Sequence, residues 1–462
     1  MKRYLGAITT LLLVIISLQS VHAQTETVIT QCDYQHVSKA IETGGSITLD
    51  CDRNIQIWAD KPLTIMADTI IKPAQGRTIS FEALKGRAFV VNQDITFTLS
   101  GMTLKGNPNE RGGGIENNGG KLIISNMIFE KNDSSPGGAI LNHKGGNVTI
   151  IQSSFSGNQS FGGGGAIYND AKAEMTISDT SFTNNKSWSD SNGGAIYNLG
   201  RMTISSSTFS GNEAQGRFGW GGAVLNTGNG VMDIINSTFA NNAAGHSGAA
   251  LRNDGKGQTT IQFSTFVENS TEVWGGALYI EGGTITVTNS LFSQNMAGKK
   301  ESDCAATEKM GTINATNNLS NAGCGEKAAT GVASLSDNGG LTQTVAIASD
   351  SNAIDAASQC PKDAVDQRGM ARPQGEKCDI GAYEFVELTT AATTVGICQV
   401  TTTRDIRLRQ EPNTASSVLA VVPHNSTFQA IEQVTGWYHI KYGTVDGWVS
   451  AEFVTAKGTC GG

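Results

Sequence analysis

Carboxylates fall about once in most of the loops of this chain: Glu110, Asp133, Asp190, Glu213 and Glu272. Two carboxyl groups about 6.5 to 9.5 Å apart can hydrolyse a glycosidic bond with inversion, one as acid and the other as base. The offsets of these five from their neighbouring phrases differ, so spacing assigns no pair, and solvated charged loops are the expected arrangement. A denser set, Asp366, Arg368, Arg372, Asp379 and Glu384, sits near the end of the repeats. Guanidinium and carboxylate groups at that density commonly form a structural ion-pair network. The catalytic candidates are therefore Asp190, Glu213, Asp366 and Arg368. The six histidines are scattered and no CxxC occurs, so the sequence predicts no metal site and no cofactor.

The same loops carry aromatics: Phe161, Trp188, Phe218, Trp220 and Trp274. Tryptophans on one corner of a rod can stack sugar rings, and Trp188, Trp220 and Trp274 are the ligand-binding candidates; the competing expectation is mutual packing that shields the loops. A basic row of Lys121, Lys144, Lys172, Arg201 and Lys256 has Asp170, Glu174 and Asp254 beside it, which makes it a solvated turn rather than an anion site.

What positions these side chains is a pair of phrases that alternate seven times. The first reads GGGIEN, GGAILN, GGAIYN, GGAIYN, GGAVLN, GAALRN and GGALYI, ending at Asn117, Asn142, Asn169, Asn198, Asn226, Asn253 and Ile280. The second begins at Phe129, Phe155, Phe182, Phe209, Phe239, Phe266 and Phe292 and closes three residues later on Asn. A period of roughly 27 residues marks a solenoid. Ahead of each Phe, alternating pairs such as Leu122 and Ile124, Met175 and Ile177, or Met202 and Ile204 predict strands facing one interior. Ile115, Ile140, Ile167, Ile196, Val224, Leu251 and Leu278 supply a second inward row. The recurring Asn predicts corners, through its tolerance of left-handed backbone and its capacity to bond the same amide one coil away. At about 4.8 Å per coil, the eight turns counted this way make a rod of about 38 Å.

These phrases resemble the right-handed parallel β-helix of the pectate-lyase-like superfamily, and the repeats are similar to those of chlamydial polymorphic outer-membrane proteins. The fold class expected is all-β: a β-helix over residues 24–388, with a cap and first coils to 100, repeats over 101–300, and last coils and a closing segment over 301–388. Val37, Ala40 and Ile41 fall on one face of a short helix that resembles the cap such rods use. The stretch SDNGGLTQTVAIASDSNAIDAASQC, followed by DQRGMARPQGEKCDIGAYEF, resembles the closing segment of choice-of-anchor Q proteins. Lyases of the superfamily use an Arg or Lys base with calcium-bound carboxylates; no residues here align onto that pattern, so calcium enters only if the chain is a lyase.

Residues 389–397 read as a Thr/Ala linker, and 398–460 resembles a bacterial SH3-type barrel through IRLRQEPNTASSVLAVV, GWYHIKY and DGWVSAEFV. The resemblance implies cell-wall peptide or glycan binding, with Trp437, Tyr438, Tyr442 and Trp448 as the aromatic candidates. Lys2 and Arg3, the apolar run Leu11 to Leu18 and Val21-His22-Ala23 predict a signal peptide over 1–23. Without those two cations the formal charge moves from −8 to about −10, which argues against nucleic acid. No later apolar run approaches the roughly 18 residues of a membrane span. Eight cysteines outside the signal peptide fit an oxidising compartment. Connectivity is open from sequence; pairing of neighbours, Cys32 with Cys51, Cys304 with Cys324, Cys360 with Cys378 and Cys398 with Cys460, would staple the rod ends and the module. The expectation is a secreted or surface protein that binds cell-wall or extracellular polysaccharide without catalysis. The alternative is a polysaccharide lyase or glycoside hydrolase working on the rod face.

Overall fold

The computed structural model describes residues 26–57, 61–107, 109–188, 192–307, 310–325, 327–386, 398–414, 416–443 and 445–458. The predicted signal peptide, the whole of the linker, Asp190 and Cys460 lie outside them. Period-two alternation builds three parallel sheets that wrap one interior. The first holds twelve strands, from Glu26–Ile29 to Gly311–Thr316. The second, a phenylalanine sheet, holds ten, from Arg53–Ile57 to Leu291–Ser293. The third, an asparagine sheet, also holds ten, from Leu63–Ile65 to Cys304–Ala306. Coils therefore begin well before the first recognisable phrase, and at about 4.8 Å each the rod is nearer 50 Å long than 38 Å. A fourth row of two-residue strands runs from Gln159–Ser160 to Met296–Ala297; strands this short leave no periodicity to read.

Register explains the phrases. Phe129, Phe155, Phe182, Phe209, Phe239, Phe266 and Phe292 pair strand by strand, with ring centroids 4.5–5.0 Å apart and planes within 11°. The asparagines after them form a buried amide ladder: each Nδ2, from Asn132 to Asn269, donates to the next Oδ1 at 2.8–2.9 Å. A second ladder joins Asn117, Asn142, Asn169, Asn198, Asn226 and Asn253 at the same spacing. The corner geometry corrects the sequence reading in one respect. Around the first ladder, left-handed backbone belongs to the residue before the amide, as at Lys131, Asn184, Gly211, Asn241, Glu268 and Gln294. The laddering asparagines themselves are not among the residues of positive φ. The Gly-Gly pairs divide two jobs: Gly193 takes φ 67°, and a Cβ on Gly194 would collide with the Gly222 carbonyl one coil on.

Helix α1 (Tyr34–Thr43) closes the first coil, with Val37, Ala40 and Ile41 buried and Asp33 accepting from the His36 N–H at its N-terminus. Disulfides join Cys32 to Cys51, Cys304 to Cys324 and Cys360 to Cys378. The proposed fourth pair ends at Cys460, beyond the described residues.

The coils stop at Thr316. The chain then forms a strap: a hairpin of Val332–Ser336 and Thr344–Ile347 leads into a segment that runs back along the outside of the phenylalanine sheet. Thr208 Oγ1 donates to Gln343 O, and Thr238 Oγ1 to Gln367 Oε1 at 2.6 Å. Gly381 N donates to Asn289 O and Ala382 N to Thr265 Oγ1, both at 2.9 Å. Beneath the strap Val267, Leu291, Val345, Ile347, Ala353 and Ile380 share a second apolar core.

The C-terminal module folds as antiparallel sheets of three and five strands, over 398–458. Val400, Ile406, Leu408, Val422, Ile440 and Val449 fill its core.

Candidate functional site

The loops between the fourth row and each Gly-Gly gather the predicted aromatics on one edge of the rod. Arg111 lies 4.7 Å over Phe161, Phe161 stacks with Trp188 at 6.3 Å and 16°, and Lys186 Nζ lies 4.3 Å over Trp188. Trp188 Nε1 donates to Gln159 Oε1, and Gln159 Nε2 donates to Asp133 Oδ2. Trp220 packs on the guanidinium of Arg252 at 4.1 Å. Arg252 is buried; it donates to Ser247 Oγ and pairs with Glu281, and burial pushes its pKa down. Trp274 reaches the same register as Trp220 through Ser247, two coils away, and stays 53% exposed. The rings thus do not make one continuous platform. Cations lie over Phe161, Trp188, Trp220 and Phe218, and Trp274 and Phe218 are the most exposed of these rings.

Among the carboxylates, Glu213 is paired with Lys186 at 2.8 Å and lines an open groove of about 860 Å³ together with Arg217 and Glu272. The basic residues do not form a ladder: Lys121 and Arg201 share a row of the first sheet with Asn147 and Glu174 between them.

Asp366 and Arg368 face each other inside the strap. Arg368 Nε and Nη2 donate to Asp366 Oδ2 at 2.9 and 2.7 Å, and the guanidinium lies 3.5 Å over Tyr383. The other Asp366 oxygen accepts from the backbone N–H groups of Arg368 and Met370. Arg372 bonds Glu384 at 3.1 Å and two carbonyls, and Glu384 accepts from Gln374 N and Asp379 N. Burial pushes the Asp379 carboxyl up to about 6, against the hydrogen bonds from Phe385 and Asp355. Every carboxylate in this set is enclosed and hydrogen-bonded within the strap, the geometry of a structural network.

In the module, strand alternation sorts the aromatics. Tyr438 points inward with Ile440 and is 7% exposed, which removes it from the candidate contact set. Tyr442 packs edge-on against Phe428. Trp437, His439 and Trp448 point the other way and are half-buried; His439 stacks on Trp448 at 4.8 Å and lies 3.8 Å from Glu432. His439 is not among the sequence candidates, and the signal for it is its alternation with Tyr438 and Ile440 along the strand. Among the described residues no group of three or more His, Cys, Asp or Glu converges as a metal site, and no helix is long and apolar enough to cross a membrane.

Fold and module together define a parallel β-helix protein that carries a bacterial SH3-type domain. Residues 404–455 match the family model of the bacterial SH3 domain, and 152–170 and 179–199 match the Chlamydia polymorphic membrane protein repeat. Over 55 residues the chain is 38% identical to "Putative N-acetylmuramoyl-L-alanine amidase YrvJ" of Bacillus subtilis (strain 168), a stretch that is 12% of this chain and 11% of that protein. The chain thus spans about a tenth of that relative's length. The solved pectate lyase Pel9A superposes with a TM-score of 0.51 at 14% identity, covering 78% of this chain and 97% of its own. That likeness concerns the fold alone. The enzymatically active domain of bacteriophage CBA120 tailspike protein 4 gives a TM-score of 0.45 at 11% identity, over 91% of this chain and 61% of that one.

Proposed function

We propose that this chain is an exported bacterial surface protein, non-catalytic, whose SH3-type domain docks on the cell wall while the β-helix presents a glycan-binding loop edge. The observation that carries the reading is the outward Trp437–His439–Trp448 face on a module that matches the bacterial SH3 domain. An aromatic pair with a polar rim suits a sugar or peptide that offers both C–H faces and amides. Similarity to a protein named as an N-acetylmuramoyl-L-alanine amidase points to wall material as the first ligand to try. The non-catalytic part rests on the enclosed Asp366 and Arg368 and the paired Glu213.

The test is co-sedimentation with purified cell-wall sacculi. The full chain should pellet; a chain ending before Thr389, and Trp448→Ala in the full chain, should stay in solution. Pelleting by the truncated rod would overturn the docking role. New reducing ends released from the sacculi or from acidic polysaccharide would overturn the non-catalytic one.

A further inference from the structure

Near the N-terminal half of the loop edge lies a cleft of about 240 Å³ whose lining is Asn109, Arg111, Asp133, Gln159, Phe161 and Trp188. Its floor is unusual. Asp133 is only 2% exposed, and while its Oδ2 accepts from Gln159, its Oδ1 is buried with no hydrogen-bond partner. A buried carboxylate oxygen without a donor is costly, and native proteins rarely retain one unless something else supplies the donor. Gln159 cannot turn to help, because its own oxygen is held by Trp188 Nε1 at 3.0 Å. Arg111, an exposed residue whose guanidinium lies over Phe161, lines the same cleft, and Phe161 is itself 41% exposed.

We propose that this cleft is a subsite for a neutral pyranose. One hydroxyl of a vicinal diol donates to Asp133 Oδ1, its neighbour accepts from Arg111, and the C–H edge of the ring lies against Phe161. An acceptor and a donor line the same cleft, which matches the adjacent hydroxyls of a diol and not a simple cation or anion. An acidic sugar would bring a second negative charge to a carboxyl that burial already holds above the usual range. A cationic ligand would meet Arg111 and Lys186, which already lie over the rings. The inference rests on reading the rod's loop edge as glycan-binding, and it is independent of wall docking by the SH3-type domain.

Isothermal titration of the full chain with cellotetraose, maltotetraose and mannotetraose tests it, beside tetragalacturonate and the same neutral sugars after periodate cleavage of their diols. At least one intact neutral sugar should bind saturably, and its cleaved form should not. Asp133→Asn and Arg111→Gln should each weaken binding about tenfold or more, as loss of a charged hydrogen bond does, and Met66→Ala, exposed and outside the cleft lining, should leave it unchanged. Arg111 is exposed, so its variant keeps the fold and guards against a misfolded Asp133 variant. Binding of tetragalacturonate alone, binding of none, or binding indifferent to both substitutions would overturn the subsite. Sacculus pelleting by the same variants should match the full chain, so failure of the subsite and failure of the docking role are separately visible.

Discussion

At the scale of single residues, the buried amide ladder has a direction. From Asn132 to Asn269 each amide donates toward the C-terminal end, so the last member, Asn295, needs an acceptor that no further coil provides. Asp303 supplies it: Oδ1 accepts from Asn295 at 2.8 Å, and Oδ2 from Ser320 Oγ and the N–H groups of Asn321 and Ala322. Asp303→Asn would set an NH2 group against those donors. We expect a loss of about 2–4 kcal/mol, measured by urea unfolding; a loss within error would show that the carboxylate is dispensable. Asp379 gives a pH signature. Its folded pKa is raised to about 6, so the stability it contributes is fully present below the ordinary carboxylate pKa and is lost as pH rises through about 6. Melting temperatures at pH 5 and 7.5 should differ more in the wild type than in Asp379→Asn; equal differences would refute the assignment. The laddering asparagines were legible because they recur. Asp303 was not, since it stands outside the period, and the open valence of Asp133 depends on where Gln159 and Arg111 meet it from other coils.

Among the elements, stacked phenylalanines and the strap act on opposite sides of one sheet. Phe209 lies between Phe182 and Phe239 with both planes nearly parallel, and it is fully buried. Phe209→Ala should cost about 3–5 kcal/mol through lost burial and a cavity that neighbouring coils, fixed by their own ladders, cannot fill. A much smaller loss in denaturant titration would mean that the coils do relax. Outside, Gln367 is 2% exposed and ties the strap to Thr208 and Thr238 of the sheet and to Thr342 of its own hairpin. Gln367→Ala should leave far-UV circular dichroism unchanged and speed proteolysis within 327–386; unchanged cleavage would show that the apolar core alone holds the strap. Sheets and inward rows could be read directly from alternation. The strap could be recognised only as a closing segment, because its path is set by side-chain bonds to coils from 69 to 160 residues earlier, which leave no local pattern.

For the whole molecule, the disulfides divide the work with the ladders. Cys32–Cys51 closes the first coils and Cys304–Cys324 the last, across 19 and 20 residues, while the coils between carry no cysteine. Loops of that length correspond to about 3 kcal/mol each by chain entropy. Under reductant, limited proteolysis should therefore open the two ends before the central coils; central cleavage first would contradict this division. The strap has a further consequence, for how such a chain changes its copy number. Each central coil offers its neighbour the same rings, amides and carbonyls, so duplicating one unit in frame creates no unfamiliar interface. The strap, however, is pinned at Ser206, Asn236, Thr265 and Asn289. A unit copied between those pins would draw every later anchor out of step, whereas one copied between Phe129 and Phe182 would lengthen the rod and leave the anchors aligned. Lineages of this protein should vary in length on one side of the strap and hold constant on the other.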